Sequence, residues 1–532
     1  MENPGVLSSS RRRWVQGVAG ATLLSAFSGQ SSGQSLQGEY KLLWGDMHNH
    51  NAVGYARGSL ERTYDIARSH LDFLAFTPHA QWHDMPLMPN DAHMKWVNGF
   101  KVLEEKWPQV QKMAAESNKK DEFVSILAYE WHSSHFGDYC VYYPGDHLPL
   151  KYFDDVRTLQ EYARGSKTLI IPHHLAYKQG WRGANWNYLD TSVSPVMEIF
   201  SEHGLSEHDR AGRPFIRHSN GGRWTRNTLH AALQRGFRAG VIASSDDHLG
   251  FPGAYGEGLA GVLAREHTRE GILEAVRARR TIAVTGDRIA LSAKVNGAWM
   301  GSELPFARER EIEVSVRGQD EIERVDILKN NRVIHRYFPE DHVRENAPWP
   351  DEALCRLEFG WGPWADLNME RIADWEIAIG VEEGKILDVL PFFQSGPFDE
   401  ERRDAVLDRT ENSCRVRLFT SRRQAFEEAA NKGVILHLAG GANAALRLTL
   451  TKPSSMSFRK TFRELAQNNE IEFTGRFTTE SFVVHRLVTP DVFKVSFRHT
   501  DTGRQGVTDW YYARVTQANG HQAWSSPVWV EG

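Results

Sequence analysis

The sequence predicts an α/β chain: a parallel α/β core in the first half, then a β-sandwich-like second half. Three observations carry this. Short β-type runs alternate with amphipathic helical stretches up to about residue 290, and alternating strands take over beyond it. Six of the seven β-type runs in the first half also end in a residue able to bind a metal ion.

The β-type runs are 40–44, 72–77, 123–129, 168–171, 196–200, 241–243 and 281–284. Helical spacing of apolar residues marks 60–69, 94–116, 158–163, 225–235 and 269–279 between them. In the second half, period-two alternation predicts strands over 311–317, 324–327, 332–337, 445–451 and 480–488, with a terminal pair over 510–515 and 523–530. Pro- and Trp-rich connections occupy about 340–400. Three regions follow: 1–38, 39–290 and 291–532.

The ends of the first-half runs read "DMHNH" (Asp46, His48, His50), "TPH" (His79), "YEWH" (Glu130, His132), "PHH" (His173, His174), "SEHG" (His203) and "SSDDH" (Asp246, Asp247, His248). In a closed parallel barrel all strand C-termini open on one face, so residues spread over two hundred positions would meet in one pocket. Imidazoles and carboxylates together suit Zn, Mn or Fe ions. Glu130 is the natural bridging carboxylate. Alternate residues on an extended segment point the same way, which lets His48 and His50 share an ion. Taken singly, Glu130 paired with an arginine or Asp246 capping a helix is the plain alternative; the shared position after successive strands favours a metal site.

Composition limits the other readings. The chain of 532 residues has 63 basic and 68 acidic side chains spread without long blocks, so no nucleic-acid surface is expected. Its three cysteines, Cys140, Cys355 and Cys414, lack CxxC spacing, which excludes a cysteine-rich zinc module and leaves one Cys355–Cys414 bridge open.

The N-terminus reads as an export signal. Ser10-Arg11-Arg12-Arg13-Trp14-Val15-Gln16 precedes a mildly apolar stretch over 17–27 and a Ser/Gly/Gln-rich tract to Gly38. The order resembles a twin-arginine signal, which implies a periplasmic or secreted protein exported folded. The apolar stretch is too short to span a bilayer, and no other segment is long and apolar enough, so no membrane span is expected in the mature chain.

The motifs "DMHNH", "TPH", "YEW", "IPHH" and "SSDDH" resemble those of the PHP superfamily, the polymerase and histidinol-phosphatase domains, over about residues 40–290. More narrowly, "WGDMHNH", "YEWHSSHFGDYCVYY", "EIFSEHGLSE" and "DWYYARVTQANGHQAWSSPVWV" resemble a largely uncharacterised PHP-like family with a β-rich C-terminal half. The resemblance implies a distorted seven-stranded, TIM-like β/α barrel, two or three metal ions and phosphate-ester hydrolysis. Carried over, His48, His50, Glu130 and Asp246 would hold one ion, and His173 and His203 would join Glu130 around a second. His79 and His248 would serve a third. Thr77-Pro78-His79 departs from the usual Thr-Asp-His, and "NAVGYARGS" lacks the histidine or aspartate often found after the first motif, so the third site is the weakest. His83, His132, His174, Glu198 and His208 are spare groups nearby.

The expected nucleophile is a metal-bound hydroxide, because paired divalent ions acidify a water and neutralise the leaving oxygen. No Ser-His-Asp pattern or P-loop competes: "GGRW" and "AGGA" lack the required lysine and spacing. Arg57, Lys178 and Arg182 lie in loops bordering the same mouth, as candidate contacts for a small anionic or ester substrate. The expected protein is thus an exported metal-dependent hydrolase, a phosphoesterase first. The alternatives are hydrolysis of another ester, sulfate ester or amide, or a metal-stabilised protein that binds glycan through its β-rich half.

Overall fold

A computed structural model describes residues 34–36, 39–213, 221–343, 347–362, 372–421, 431–477 and 479–532. The export signal, with its Arg11-Arg12 pair, lies outside the described residues. The chain is mixed α/β and strand-rich, with 42% strand against 17% helix.

All seven β-type runs of the first half form strands. We label the strands of this half β1 (Tyr40–Asp46), β2 (Phe73–Phe76), β3 (His79–Trp82), β4 (Val124–His132), β5 (Tyr139–Tyr142), β6 (Leu169–Pro172), β7 (Val196–Ser201), β8 (Gly240–Ala243), β9 (Leu259–Ala264) and β10 (Thr281–Val284). Every residue of β4 is buried, which is why it reads as a continuous apolar run instead of an alternating one.

The helices are α1 (Leu60–His70), α2 (Met94–Ser117), α3 (Val156–Ser166), α4 (Leu229–Gln234) and α5 (Arg269–Arg277). Ser59, Asp155, Thr228 and Thr268 cap α1, α3, α4 and α5 by accepting backbone N–H groups of the first turn. The predicted helix over 225–235 is shorter than expected: Thr225–Asn227 is a separate 3-10 turn, and Thr228 starts α4 afresh.

The sheet corrects the simple parallel barrel. Strands β1, β2 and β4 are parallel neighbours, but β5 runs antiparallel between β4 and β6, and β9 antiparallel between β1 and β10. Two reversals restore direction, so β6 and β10 still point the same way as β1. Strands β7 and β8 pair in parallel within a separate small sheet. No closed ladder forms among the described residues; between β6 and β7, and between β8 and β10, the wall is bridged by other bonds, such as Ile170 N–H to Val193 O at 3.0 Å and Thr281 Oγ1 to Val241 O at 2.8 Å.

Among the described residues the second half is antiparallel apart from Glu303–Leu304, which runs parallel to Val528–Val530, and its strands fall into the first-half sheet, a four-stranded sheet and an eight-stranded sheet. Gln522–Ser525 pairs with β10 and with Asp509–Gln517, so the C-terminal strands extend the first-half sheet. The predicted strand over 523–530 breaks into Gln522–Ser525 and Val528–Val530, and the one over 480–488 shortens to Ser481–Val484. An eight-stranded sheet is built around two long strands, Ala373–Phe392 and Lys432–Lys452, with its own apolar core. Its strand order overturns the Cys355–Cys414 bridge. Those two long strands stand between the strand of Cys355 and that of Cys414, about 14 Å of sheet at ~4.8 Å per strand, and both thiols are free and buried.

A buried network ties the sheets together. Arg356, from Glu352–Trp361, donates two hydrogen bonds to Asp287 at 2.8 and 2.9 Å, and Gln517 and Asn519 donate to the same carboxylate at 2.7 Å.

Candidate metal centre

The end of β4, the start of β3 and the loops that leave β1, β6, β7 and β8 bring the predicted ligands into one buried cluster. His48, His50, His79, Glu130, His173, His203 and Asp246 are all buried. Local backbone geometry places the two ends of the constellation against each other. Asp246 N–H donates to His48 O at 2.7 Å, and His50 N–H to Asp247 O at 2.9 Å, so "HNH" and "DDH" run side by side. Asp246 sits at φ 54° and His174 at φ 51°, left-handed backbone that side chains other than glycine adopt at a cost and that concentrates at functional sites.

Three lone-pair atoms form a tight triangle. His50 Nε2 lies 3.1 Å from His48 Nε2 and 2.9 Å from Asp246 Oδ1, and His48 Nε2 lies 3.2 Å from the same oxygen. Ligand atoms around a tetrahedral ion at about 2.1 Å stand about 3.4 Å apart, so the triangle has the dimensions of one face of a coordination shell.

Each of the two buried carboxylates faces both ways. Glu130 Oε2 approaches His79 Nε2 (3.3 Å) and His50 Nε2 (3.6 Å), while Oε1 approaches His173 Nε2 (3.0 Å) and His132 Nδ1 (3.2 Å). Asp246 Oδ1 faces His48 and His50, while Oδ2 faces His203 Nε2 (3.1 Å) and His174 Nε2 (3.4 Å). Glu130 Oε2 makes no hydrogen bond among the described residues, although it is buried. A buried acceptor surrounded by imidazole nitrogens fits a cation better than a proton network. The clusters could hold metal ions: groups such as His48–His50–Glu130 and His50–His79–His248 each bring their ligand atoms within 4.8 Å of one another.

Charge in the cluster is balanced by protons in a revealing pattern. Burial alone would raise the carboxyls, but the surrounding imidazoles hold Glu130 and Asp246 well below the usual carboxylate range. Burial alone would lower His48, yet Asp246, then Cys140 and Glu198, hold it well above its ordinary value, and His173 is likewise lifted to about 10, against burial and His48, by Cys140 first and Glu130 after it. Burial and the neighbouring His248 push His50 down to about 3. Divalent cations would take over the positive charge those protons supply, since metal ligation requires neutral imidazole.

Other predicted residues fall into place or outside. His248 is partly exposed, and its Nδ1 lies 2.9 Å from Glu202 Oε1 and 3.9 Å from Asp246 Oδ1, so it stands at the rim. Arg182 is held by Asp138, with Nε donating at 2.7 Å, and its guanidinium comes within 4.0 Å of Glu130. Arg57 stacks on Phe398 from the second half, and its N–H donates to His248 O at 3.0 Å; Lys178 is exposed. Among the spare groups, His132, His174 and Glu198 belong to the cluster, Glu198 lying 3.1 Å from His48 Nδ1. His83 stacks on Trp131 and His208 on His230, with His208 beside Glu207; neither joins the groups above.

Two acidic residues of the motifs are clamps. Asp46 accepts N–H groups of His48, Ser245 and Gly253, and burial lifts it to about 6. Asp247 accepts from Leu249 N–H (3.0 Å), Phe251 N–H (2.6 Å) and Ser395 Oγ (2.9 Å), and burial followed by Glu202 lifts it to about 7. Sequence reasoning missed Glu202 and Asp138. Glu202 sits in the "SEHG" motif beside His203, a signal that was present; Asp138 follows a hairpin turn that only the antiparallel β5 explains.

No family model matches the chain. An uncharacterised protein of Chlamydia trachomatis is 27% identical over 255 residues, 43% of this chain and 41% of that protein. One of Chlamydia pneumoniae is 25% identical over 264 residues, and one of Chlamydia muridarum 27% over 255, each again aligned over 41% of its length. The match thus spans about two-fifths of these curated relatives. Among solved structures, a two-domain protein from Bacteroides vulgatus, containing a predicted PHP-like metal-dependent phosphoesterase, aligns over 80% of this chain and 96% of its own, with TM-score 0.31 and 11% identity.

Proposed function

We propose that the chain is a PHP-like, metal-dependent hydrolase, with phosphate esters as its first substrate class. The observation that carries this is the two-sided arrangement of Glu130 and Asp246, each of which turns its two oxygens to separate groups of imidazoles. A structural ion needs four ligands in a closed shell; a cluster this large matches several ions side by side, with carboxylates offsetting their repulsion.

In this reading His48, His50, Glu130 and Asp246 hold one ion, and Glu130, His173 and His203 a second. His79 and His248 serve a third, and the metals are Zn, Mn or Fe, two or three per chain. His174, beside Asp246, is an additional donor to the second ion. Such ions supply a nucleophile at neutral pH and neutralise charge on the leaving oxygen. The protein's own part is to hold the ligands and the substrate. Asp46 and Asp247 lock the backbone that carries His48 and Asp246, and Asp138 fixes Arg182 at the rim, where its guanidinium faces an incoming anion.

The barrel-like region, 39–290, carries the chemistry, 291–532 walls the site through Ser395 and Phe398, and the segment 1–38 directs export to the periplasm or beyond. Among the described residues no helix is long and apolar enough to cross a membrane.

The test is a panel of phosphomonoesters, phosphodiesters, sulfate esters and carboxylic esters offered to the metal-loaded protein. Chelator-sensitive release of phosphate is the expected result. Turnover confined to sulfate or carboxylic esters would move the protein to another hydrolase class, and no turnover of any ester would contradict the reading.

A further inference from the structure

We propose that this site selects substrates in which a planar aromatic ring is attached to the scissile group. The proposal rests on the hydrolase reading and concerns the wall beside the cluster.

That wall is aromatic and cationic. The Tyr55 ring, from the loop after β1, stacks on His79 with centroids 3.7 Å apart, and Trp96, in the first turn of α2, meets Tyr55 edge-on at 5.5 Å. Trp82, at the end of β3, lies 6.2 Å from Trp96. One imidazole therefore separates the ring wall from the bridging carboxylate, because His79 Nε2 lies 3.3 Å from Glu130 Oε2. A ring on this wall sits directly beside whatever the cluster holds.

Two cations accompany the rings. Lys95 Nζ lies 5.4 Å from the Tyr55 centroid and 5.7 Å from that of Trp96, and the Arg182 guanidinium lies 5.0 Å from Trp82. Rings beside fixed positive charge favour a ligand that is flat and apolar on one side and anionic on the other.

The rings are also held and left open. Trp82 Nε1 donates to Ser134 Oγ at 3.0 Å, and Arg182 N–H to Ser134 O at 3.1 Å, which ties β3, the loop after β4 and the loop after β6 together. Tyr55, Trp82 and Trp96 are nevertheless only half-buried, and Trp181 is 63% exposed next to Arg182. Large rings left part-exposed at the edge of a buried polar cluster present contact area that costs little conformational entropy on binding.

The experiment compares ligands that differ only in the ring. Phenylphosphonate and methylphosphonate, then phenylacetate and acetate, are titrated calorimetrically into the full metal-loaded protein, which needs no turnover. The phenyl member of at least one pair should bind roughly tenfold tighter. Trp96→Ala should bring that ratio close to one at unaltered metal content and thermal unfolding, and Trp96→Phe, which keeps a ring, should retain most of it. Equal affinities within both pairs would overturn the proposal, as would a preference that survives both Trp96→Ala and Trp82→Ala. Phosphonates that fail to bind while phenylacetate outbinds acetate would count against phosphate esters alone and support the ring site.

Discussion

His50 Nε2 and Asp246 Oδ1 stand 2.9 Å apart across 196 positions of sequence. The contact exists because β1 and β8 both end at the same face and their following turns exchange backbone hydrogen bonds. The same turns separate the two neighbouring aspartates into different jobs.

Asp246→Ala should abolish hydrolysis and lower metal content, because it removes an anionic oxygen pair that faces four imidazoles. Asp247→Asn should cost less. Its amide oxygen still accepts from Leu249 and Phe251, and its NH2 can donate to Ser395 Oγ. Steady-state rates with elemental analysis of both variants decide this; equal loss in the two would show that Asp247 has a direct role.

The Asp287–Arg356 pair should be a main fastener between the α/β first half and the long-stranded sheet. Asp287→Ala leaves a buried guanidinium without its carboxylate and should cost about 3–5 kcal/mol in denaturant unfolding. Burial raises the Asp287 carboxyl but Arg356 overrides this and holds it far below its usual value. Its stabilisation is therefore present above about pH 4, the unfolded value, and lost as pH falls below that.

His70 should make stability fall on acidification from a higher pH. Burial, then Arg288, lowers its imidazole to about 3, and its Nε2–H donates to Pro252 O at 3.0 Å. The unfolded chain takes up a proton below about pH 6.5 that the native state refuses, so stability drops by up to ~1.4 kcal/mol per pH unit from 6.5 toward 3. His70→Gln should flatten that slope in thermal melts between pH 7 and 4; an unaltered slope would assign it to other groups.

Export should depend on the arginine pair. Replacing Arg11 and Arg12 with lysine should leave folded protein in the cytoplasm, as read by fractionation, since a general secretory signal tolerates lysine. Unaltered export would contradict the twin-arginine reading of the signal.

Much of the candidate site was legible because the candidate ligands follow strands. Each β-type run was apolar enough to stand out, and six of the seven ended in His, Asp or Glu, so direction alone predicted convergence. What escaped was pairing. "YCVY" and "LAGVLA" are short apolar runs with no period, and nothing local says that they reverse the chain between β4 and β6 or between β1 and β10. His132 and His174, spare groups in the sequence reading, join the cluster for different reasons. His132 shares a strand face with Glu130, two residues before it, while the left-handed turn at His174 aims its imidazole inward beside His173. Asp46 and Asp247, which the sequence reading left out of the ligand set, show that carboxylates in a ligand-rich motif can serve the backbone instead.

The most direct measurement is the metal content of the full-length protein, purified without chelators from cells with ordinary metal supply. About two or three Zn, Mn or Fe ions per chain are expected, with His48→Ala combined with His50→Ala removing at least one. A chain that carries no transition metal as isolated, and takes none up on incubation with these ions, would contradict the metal centre and with it the hydrolase.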